Sequence, residues 1–270
     1  MDLYAILRAL PLARGRFALD VPDGLQQGRG AWGAVATGAM TSAALQTEQR
    51  FPVRTLSAQL VAPLLVGRHD IVVEELRGGS STTTLGLRVA DADGRLVAHG
   101  VVVLGAARAP DAIPDGVLLS PPAELAAGPD AVPAVPLGPP LAPRFTEQLE
   151  FRPITGLPFT GSPVAVGWVR PKDPVSGLDA AVVVAMADAW WITAMAQVVR
   201  PRPVGTLGFT VDLPADPASL PRTTGGRLLP LLHRGRTLAV CQGFTLEARE
   251  LWTSDGRLAA YNTQTVAIIA

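Results

Sequence analysis

Two stretches with almost no charge organise the hydrophobic and polar pattern of this chain. The more apolar one, LDAAVVVAMADAWWITAMAQVVR (178–200), carries a single formal charge between Ala180 and Val199, that of Asp188. Ala, Met, Gln and Leu mixed with Val, with no Gly or Pro between, predict one long helix. Asp179 or Ser176 can cap its start, and Arg200-Pro201 ends it, because the residue before proline is pushed out of the helical region. Such a helix sets Asp188 among Val184, Ala185, Trp191 and Ile192, all apolar. A carboxylate there needs a hydrogen bond or a proton, and a bond to a nearby backbone amide is the plainest account. A membrane span is the other plain reading, disfavoured by Thr193, Gln197 and the lack of a second such stretch. The other uncharged stretch, GAVATGAMTSAALQTE, predicts a helix over 33–48.

Around these helices the pattern is that of strands. Residues 16–22 form the first, and a glycine-rich turn leads to the 33–48 helix. A strand over 54–68 is bent or ended by Pro63. The runs 69–76 and 81–107 give three more, the last two meeting at Asp93-Gly94, a pair suited to a tight hairpin. Residues 108–143 hold ten prolines and no Lys or Arg between Arg108 and Arg144, which reads as an extended linker. Strands then follow over 145–154 and 162–171 ahead of the Asp188 helix. Further strands follow it over 205–215 and around 227–232, 237–250 and 257–269.

The second half repeats the first. Arg54-Thr55-Leu56 is matched by Gly205-Thr206-Leu207 (206 − 55 = 151), and Asp93-Gly94-Arg95-Leu96 recurs from Asp255 (255 − 93 = 162). The growth in spacing implies extra residues in the second copy, between its helix and its last hairpin. An apolar helix followed by antiparallel strands is satisfied when the sheet curls around the helix and buries it nearly all round. The fold class is therefore α+β, a double hot-dog: two antiparallel sheets, each wrapped around a long central helix, set side by side with the sheets continuous as an intrachain pseudo-dimer. The units are 1–107 and 144–270, joined by the 108–143 linker.

Composition narrows the chemistry. Lys and Arg balance Asp and Glu at 23 each, so nothing points to nucleic acid. Cys241 is the sole cysteine, and His69, His99 and His233 are far apart, so no disulfide, metal centre or cofactor is expected. His99 and His233 read as surface residues. The apolar run at the start is short and broken by Arg8, unlike a secretory signal, so a soluble cytoplasmic protein is the expectation. The 27 glycines and 25 prolines suit many short strands joined by turns.

With Gly28, Gly30 and Trp32-Gly33 entering the first helix, the RTLSAQLVAPLLVG strand, AMADAWW, GTLGFTVD and DGRLAAYNTQTV, the sequence resembles the double hot-dog acyl-CoA thioesterase II family. The resemblance runs from about residue 15 to 269. It implies an acyl-CoA substrate, association of double units into a dimer or larger assembly, and a water held by an Asp, a Thr and a Gln. By register those are Asp188, Thr206 and Gln264. Asp188 can take a proton from water as general base, while Thr206 and Gln264 fix the water's orientation. Amides at the start of the first helix, near Gly33 and Ala34, are the candidate oxyanion donors. WGAVATG departs from the family's commoner paired glycine and following Gln, and ordinary core packing is the simpler role for Trp190-Trp191. By the two offsets the first copy has Thr37 and Val102 where the second has Asp188 and Gln264, so one working site per chain is expected. The alternative is a non-hydrolytic acyl-CoA or hydrophobic-ligand binder of the same fold. A hydratase is disfavoured because no His lies within 178–200, and neither Cys241 nor Ser80-Ser81 has a base beside it for a nucleophilic mechanism.

Overall fold

The computed structural model describes residues 1–108, 116–198 and 200–269. A short helix α1 (Leu3–Leu7) precedes β1 (Leu10–Ala13) and β2 (Arg16–Val21). The small ribbon β3 (Gln26–Gln27) and β4 (Gly30–Ala31) leads into α2 (Gly33–Thr47). Strands β5 (Val53–Leu60), β6 (Gly67–Gly78), β7 (Thr82–Ala90) and β8 (Leu96–Gly105) complete the first half. The second half runs β9 (Leu149–Thr155), β10 (Val164–Pro171), α3 (Ala180–Ala187), β11 (Val204–Asp212), β12 (Leu231–Cys241), β13 (Phe244–Trp252) and β14 (Leu258–Ile268).

Among the described residues, all strands apart from the ribbon belong to one antiparallel sheet of twelve, in the order β1-β2-β6-β7-β8-β5-β11-β14-β13-β12-β10-β9. Read inward from either outer strand, the order of equivalent elements is the same. The two sheets expected from the sequence are thus joined by hydrogen bonds between β5 and β11 into a single one. On that seam Ser57 pairs with Thr210, and their hydroxyls are 3.0 Å apart.

The bulges give the repeat its register. The extra residues Arg54 in β5 and Leu207 in β11 are 207 − 54 = 153 apart, the spacing of Ser57 and Thr210. Those at Leu76 in β6 and Leu238 in β12, and at Val97 in β8 and Ala259 in β14, are 162 apart. The second copy therefore gains 162 − 153 = 9 residues, in the loop between β11 and β12. This corrects the 151 offset: the counterpart of Thr206 is Val53, and Thr55 corresponds to Gly208. The first half lacks the hydroxyl as well as the amide.

The core lies between the inner face of the sheet and the two helices. From Ala34 to Ala44 every residue of α2 is buried, as is every residue of α3. The helices pack on each other; α2 also meets β5, β6 and β7, and α3 meets β13 and β14. Asp179 caps α3, accepting from the amides of Ala181 at 2.9 Å and Val182 at 3.4 Å.

Three expectations need correcting. The long helix over 178–200 is one of eight residues, ending at Ala187 with Asp188 as its C-cap. The chain beyond passes through Trp190-Trp191 without helix to a 3-10 turn at Thr193–Ala196. Trp32 supplies a reason: its indole Nε1 donates to the Asp188 carbonyl at 2.9 Å, occupying the acceptor that a continuing helix would use four residues on. The single strand expected over 237–250 is the hairpin β12–β13, turned at Gln242-Gly243, where both residues have positive φ (51° and 80°). Of the proline-rich segment, residues 109–115 lie outside the described residues, and residues 116–143 are mostly exposed but docked. Arg152 Nη1 donates to the carbonyls of Pro129 and Val132, Val135 bridges to Phe151, and Leu125 and Val132 pack on the buried cluster that contains Trp168 and Trp252. Among the described residues no helix is long and apolar enough to cross a membrane.

Candidate active site

Asp188, Thr206 and Gln264 meet on the inner side of the second half. Gln264, buried on β14, donates from Nε2 to Asp188 Oδ1 at 2.9 Å and to Asn262 Oδ1 at 3.0 Å. Its Oε1 accepts from the Thr206 hydroxyl at 3.2 Å. Thr206 reaches it because of the bulge. Side chains alternate across a strand, so with Phe209 inward an unbroken β11 would turn Thr206 outward. The extra residue Leu207 shifts the phase, pairing Thr206 with the buried Val266 and Phe209 with Gln264.

The start of α2 closes the site from the other half. A Cβ added to Gly33 would lie 3.2 Å from Asp188 Oδ2 and 2.9 Å from Leu60 Cδ1. The Ala34 amide also acts on the carboxylate. Glycine at this position lets the carboxylate come up to the amide end of the helix, where unpaired N–H groups and partial positive charge favour an anion.

Several site residues escaped the sequence reading. Arg249 on β13 is buried, with Nη1 3.5 Å from Asp188 Oδ1, and Glu247 two residues earlier is buried beside it. His233, expected at the surface, is fully buried on β12 and stacked on Trp190 with centroids 5.0 Å apart. His99 is exposed. Trp190 also packs edge-on against Phe151, and Trp191 donates from Nε1 to the Gly156 carbonyl at 2.9 Å. Burial pushes the Asp188 carboxyl above the ordinary carboxylate range, against the opposing pull of Arg249, Gln264 and the Ala34 amide. Burial first, and the Arg249 charge second, hold His233 far below the usual imidazole range, so it is neutral. Two surface clefts, one edged by Val72, Glu74 and His99 and the other by Gln197, Arg200 and Ile268, are lined by none of Asp188, Thr206 and Gln264. The hydrogen-bonded cluster, not either cleft, concentrates the groups able to do chemistry.

A hot-dog architecture is borne out by solved structures. The chain is similar over 100% of its length, and 99% of the other's, to a conserved protein of unknown function with hot-dog fold from Alicyclobacillus acidocaldarius, at 25% identity and TM-score 0.85. An acyl-CoA thioesterase II from Mycobacterium marinum is similar in fold at 18% identity and TM-score 0.70, covering 97% of this chain and 96% of that one. Residues 126–268 match the acyl-CoA thioesterase C-terminal domain, and residues 21–105 the acyl-CoA thioesterase N-terminal domain. The chain therefore belongs to the acyl-CoA thioesterase family. No curated protein matches it.

Proposed function

We propose that the protein is a double hot-dog hydrolase that splits an acyl-CoA thioester into a carboxylic acid and coenzyme A, with one site per chain. The observation that carries this reading is the continuous chain of hydrogen bonds from Asp188 through Gln264 to Thr206, set against the start of α2. In the proposed step a water held near Thr206 and Gln264 attacks the thioester carbonyl carbon and gives a proton to the ionised Asp188. The carbonyl oxygen gathers negative charge facing the amide of Gly33 and that of Ala34, which Asp188 ceases to hold as an anion once it has taken the proton. The carbon–sulfur bond then breaks, and the proton passes from Asp188 to the departing thiolate, leaving the free thiol. No metal or cofactor enters these steps. That Val53 and Val102 stand where the second half has Thr206 and Gln264 supports a single site.

The reading is tested by following thiol release from short, medium, long and aryl acyl-CoA thioesters. Turnover of at least one is expected. Saturable binding of these compounds with no thiol released would instead support the non-hydrolytic binder.

The pH dependence follows from the base. Asp188 must be ionised to accept a proton, and its carboxyl titrates above the ordinary range. A plot of kcat/KM against pH is expected to rise through an acidic limb lying above that of a free carboxylate, normally near about 4. A rate flat from pH 4 upward would exclude Asp188 as the base.

Gly33→Ala is expected to lower kcat about tenfold to a hundredfold, because the added methyl displaces the carboxylate by a few tenths of an ångström. Gly38→Ala, on the same helix but with the Leu7 side chain of α1 as its nearest neighbour, is the control for packing alone.

A further inference from the structure

The duplication supplies an internal comparison for the charged residues beneath Asp188. The spacing of 162 fixed by the matched bulges sets Glu247 at the position of Leu85, Arg249 at that of Leu87 and His233 at that of Ile71. In the first half these three are ordinary buried core, whereas the second half buries a carboxylate, a guanidinium and an imidazole at the same places. Buried ion pairs are often no better for stability than apolar residues of similar volume. The first half shows that the framework closes on leucine. The charges occur only in the half that holds Asp188.

Their bonds run to the segment that follows Asp188. Arg249 Nη1 lies 3.5 Å from Asp188 Oδ1 and donates to the Trp190 carbonyl at 3.4 Å. Arg249 Nε and Nη2 both donate to Glu247 Oε2, at 3.3 and 3.1 Å. Glu247 Oε1 accepts from the Ala194 amide at 2.9 Å. The pair thus holds the non-helical chain at two backbone points, two and six residues past Asp188.

We propose that the Glu247–Arg249 pair is a positioning device for Asp188, fixing the chain beyond it and setting the charge against which its carboxylate ionises. The inference rests on the hydrolytic role proposed for Asp188, and Arg249 acts through that carboxylate rather than on substrate. The groups gathered around Asp188 are Glu247 and Arg249 from β13, Gln264 and Asn262 from β14, and Thr206 from β11. His233 from β12 lies against Trp190, and the start of α2 contributes amides but no side-chain charge. Arg249 is the cation of this set.

The test compares Glu247→Leu/Arg249→Leu, which copies the leucine pair of the first half, with Glu247→Gln. Four readouts are taken: thermal midpoint, kcat and KM on a thioester that the wild type turns over, the acidic limb, and the ¹³C-carboxyl titration of Asp188 without substrate, assigned with Asp188→Asn. The double-leucine variant is expected to melt no lower than the wild type and to lose about 10²-fold in kcat with KM little changed. Its limb and carboxyl titration move to higher pH, because the cation has gone. In Glu247→Gln both move to lower pH, because the Arg249 charge then bears on Asp188 alone. Shifts in the same direction in the two variants, or a lowered midpoint with kcat and titration unchanged, would overturn the proposal. A double-leucine variant unable to fold would overturn it too, by showing that the pair serves the framework. If the wild type hydrolyses no thioester yet the carboxyl titrations move in opposite directions, the coupling stands and only the hydrolytic reading falls.

Discussion

Asp188→Asn is expected to reduce kcat/KM for thioester hydrolysis by on the order of 10²–10⁴-fold, the range associated with a general base. The folded protein is expected to survive the change intact. Asn keeps an oxygen to accept from Gln264 Nε2, and Arg249 keeps its bonds to Glu247 and the Trp190 carbonyl. The sign of the stability effect follows from burial, which raises the Asp188 carboxyl in the folded state. Such a group contributes stability that is fully present below its unfolded pKa and is lost as pH rises through the folded one. At pH 7 the ionised carboxylate is a burden that Asn removes, so the thermal midpoint should hold or rise. Thiol release lowered by that factor, with a thermal midpoint held or raised, is the expected pair of results. Wild-type turnover in the variant would remove the mechanism.

Trp32 carries the largest expected effect on stability. It is fully buried, stacks on Phe145 with centroids 4.7 Å apart, and donates to the Asp188 carbonyl across the two halves. Trp32→Ala is expected to cost about 3–5 kcal/mol in urea unfolding, the range for removing a large buried aromatic. Trp32→Phe retains much of the ring packing but strips the donor from a buried carbonyl, at a cost of about 1–3 kcal/mol. It should also depress kcat, since the end of α3 that presents Asp188 loses its tie. A Phe variant as stable and as active as the wild type would show that the carbonyl finds another partner.

How much could be read from residues alone depended on whether a signal was local. The 33–48 helix and the Asp93-Gly94 hairpin were legible because composition and turn chemistry act within a few residues. Asp188, Thr206 and Gln264 were found through register against a family, and the structure brings them into one hydrogen-bonded chain. The early end of α3 was hidden, because the indole that takes the place of its next helical bond comes from Trp32, 156 residues away in sequence. The Gln242-Gly243 turn was missed because Gln is an unusual first residue for positive φ. The Glu247–Arg249 pair was hidden by the habit of assigning charge to the solvent face. The signal was present: aligned at the later offset of 162, these charges fall on Leu85 and Leu87. The error of two residues at Thr55 arose because Thr55-Leu56 and Thr206-Leu207 were matched by residue identity, whereas the equivalent bulges at Arg54 and Leu207 set the register.

The outermost strands of the sheet have a consequence for assembly. Pro11 lies in β1 and Pro153 in β9, and neither has an N–H to offer an incoming strand. On β9 the Val135 bridge to Phe151 occupies part of the rim as well. Fibrillar growth by recruiting one molecule's rim to another's is obstructed at both ends, so any self-association is steered toward the broad faces of the sheet or the loops.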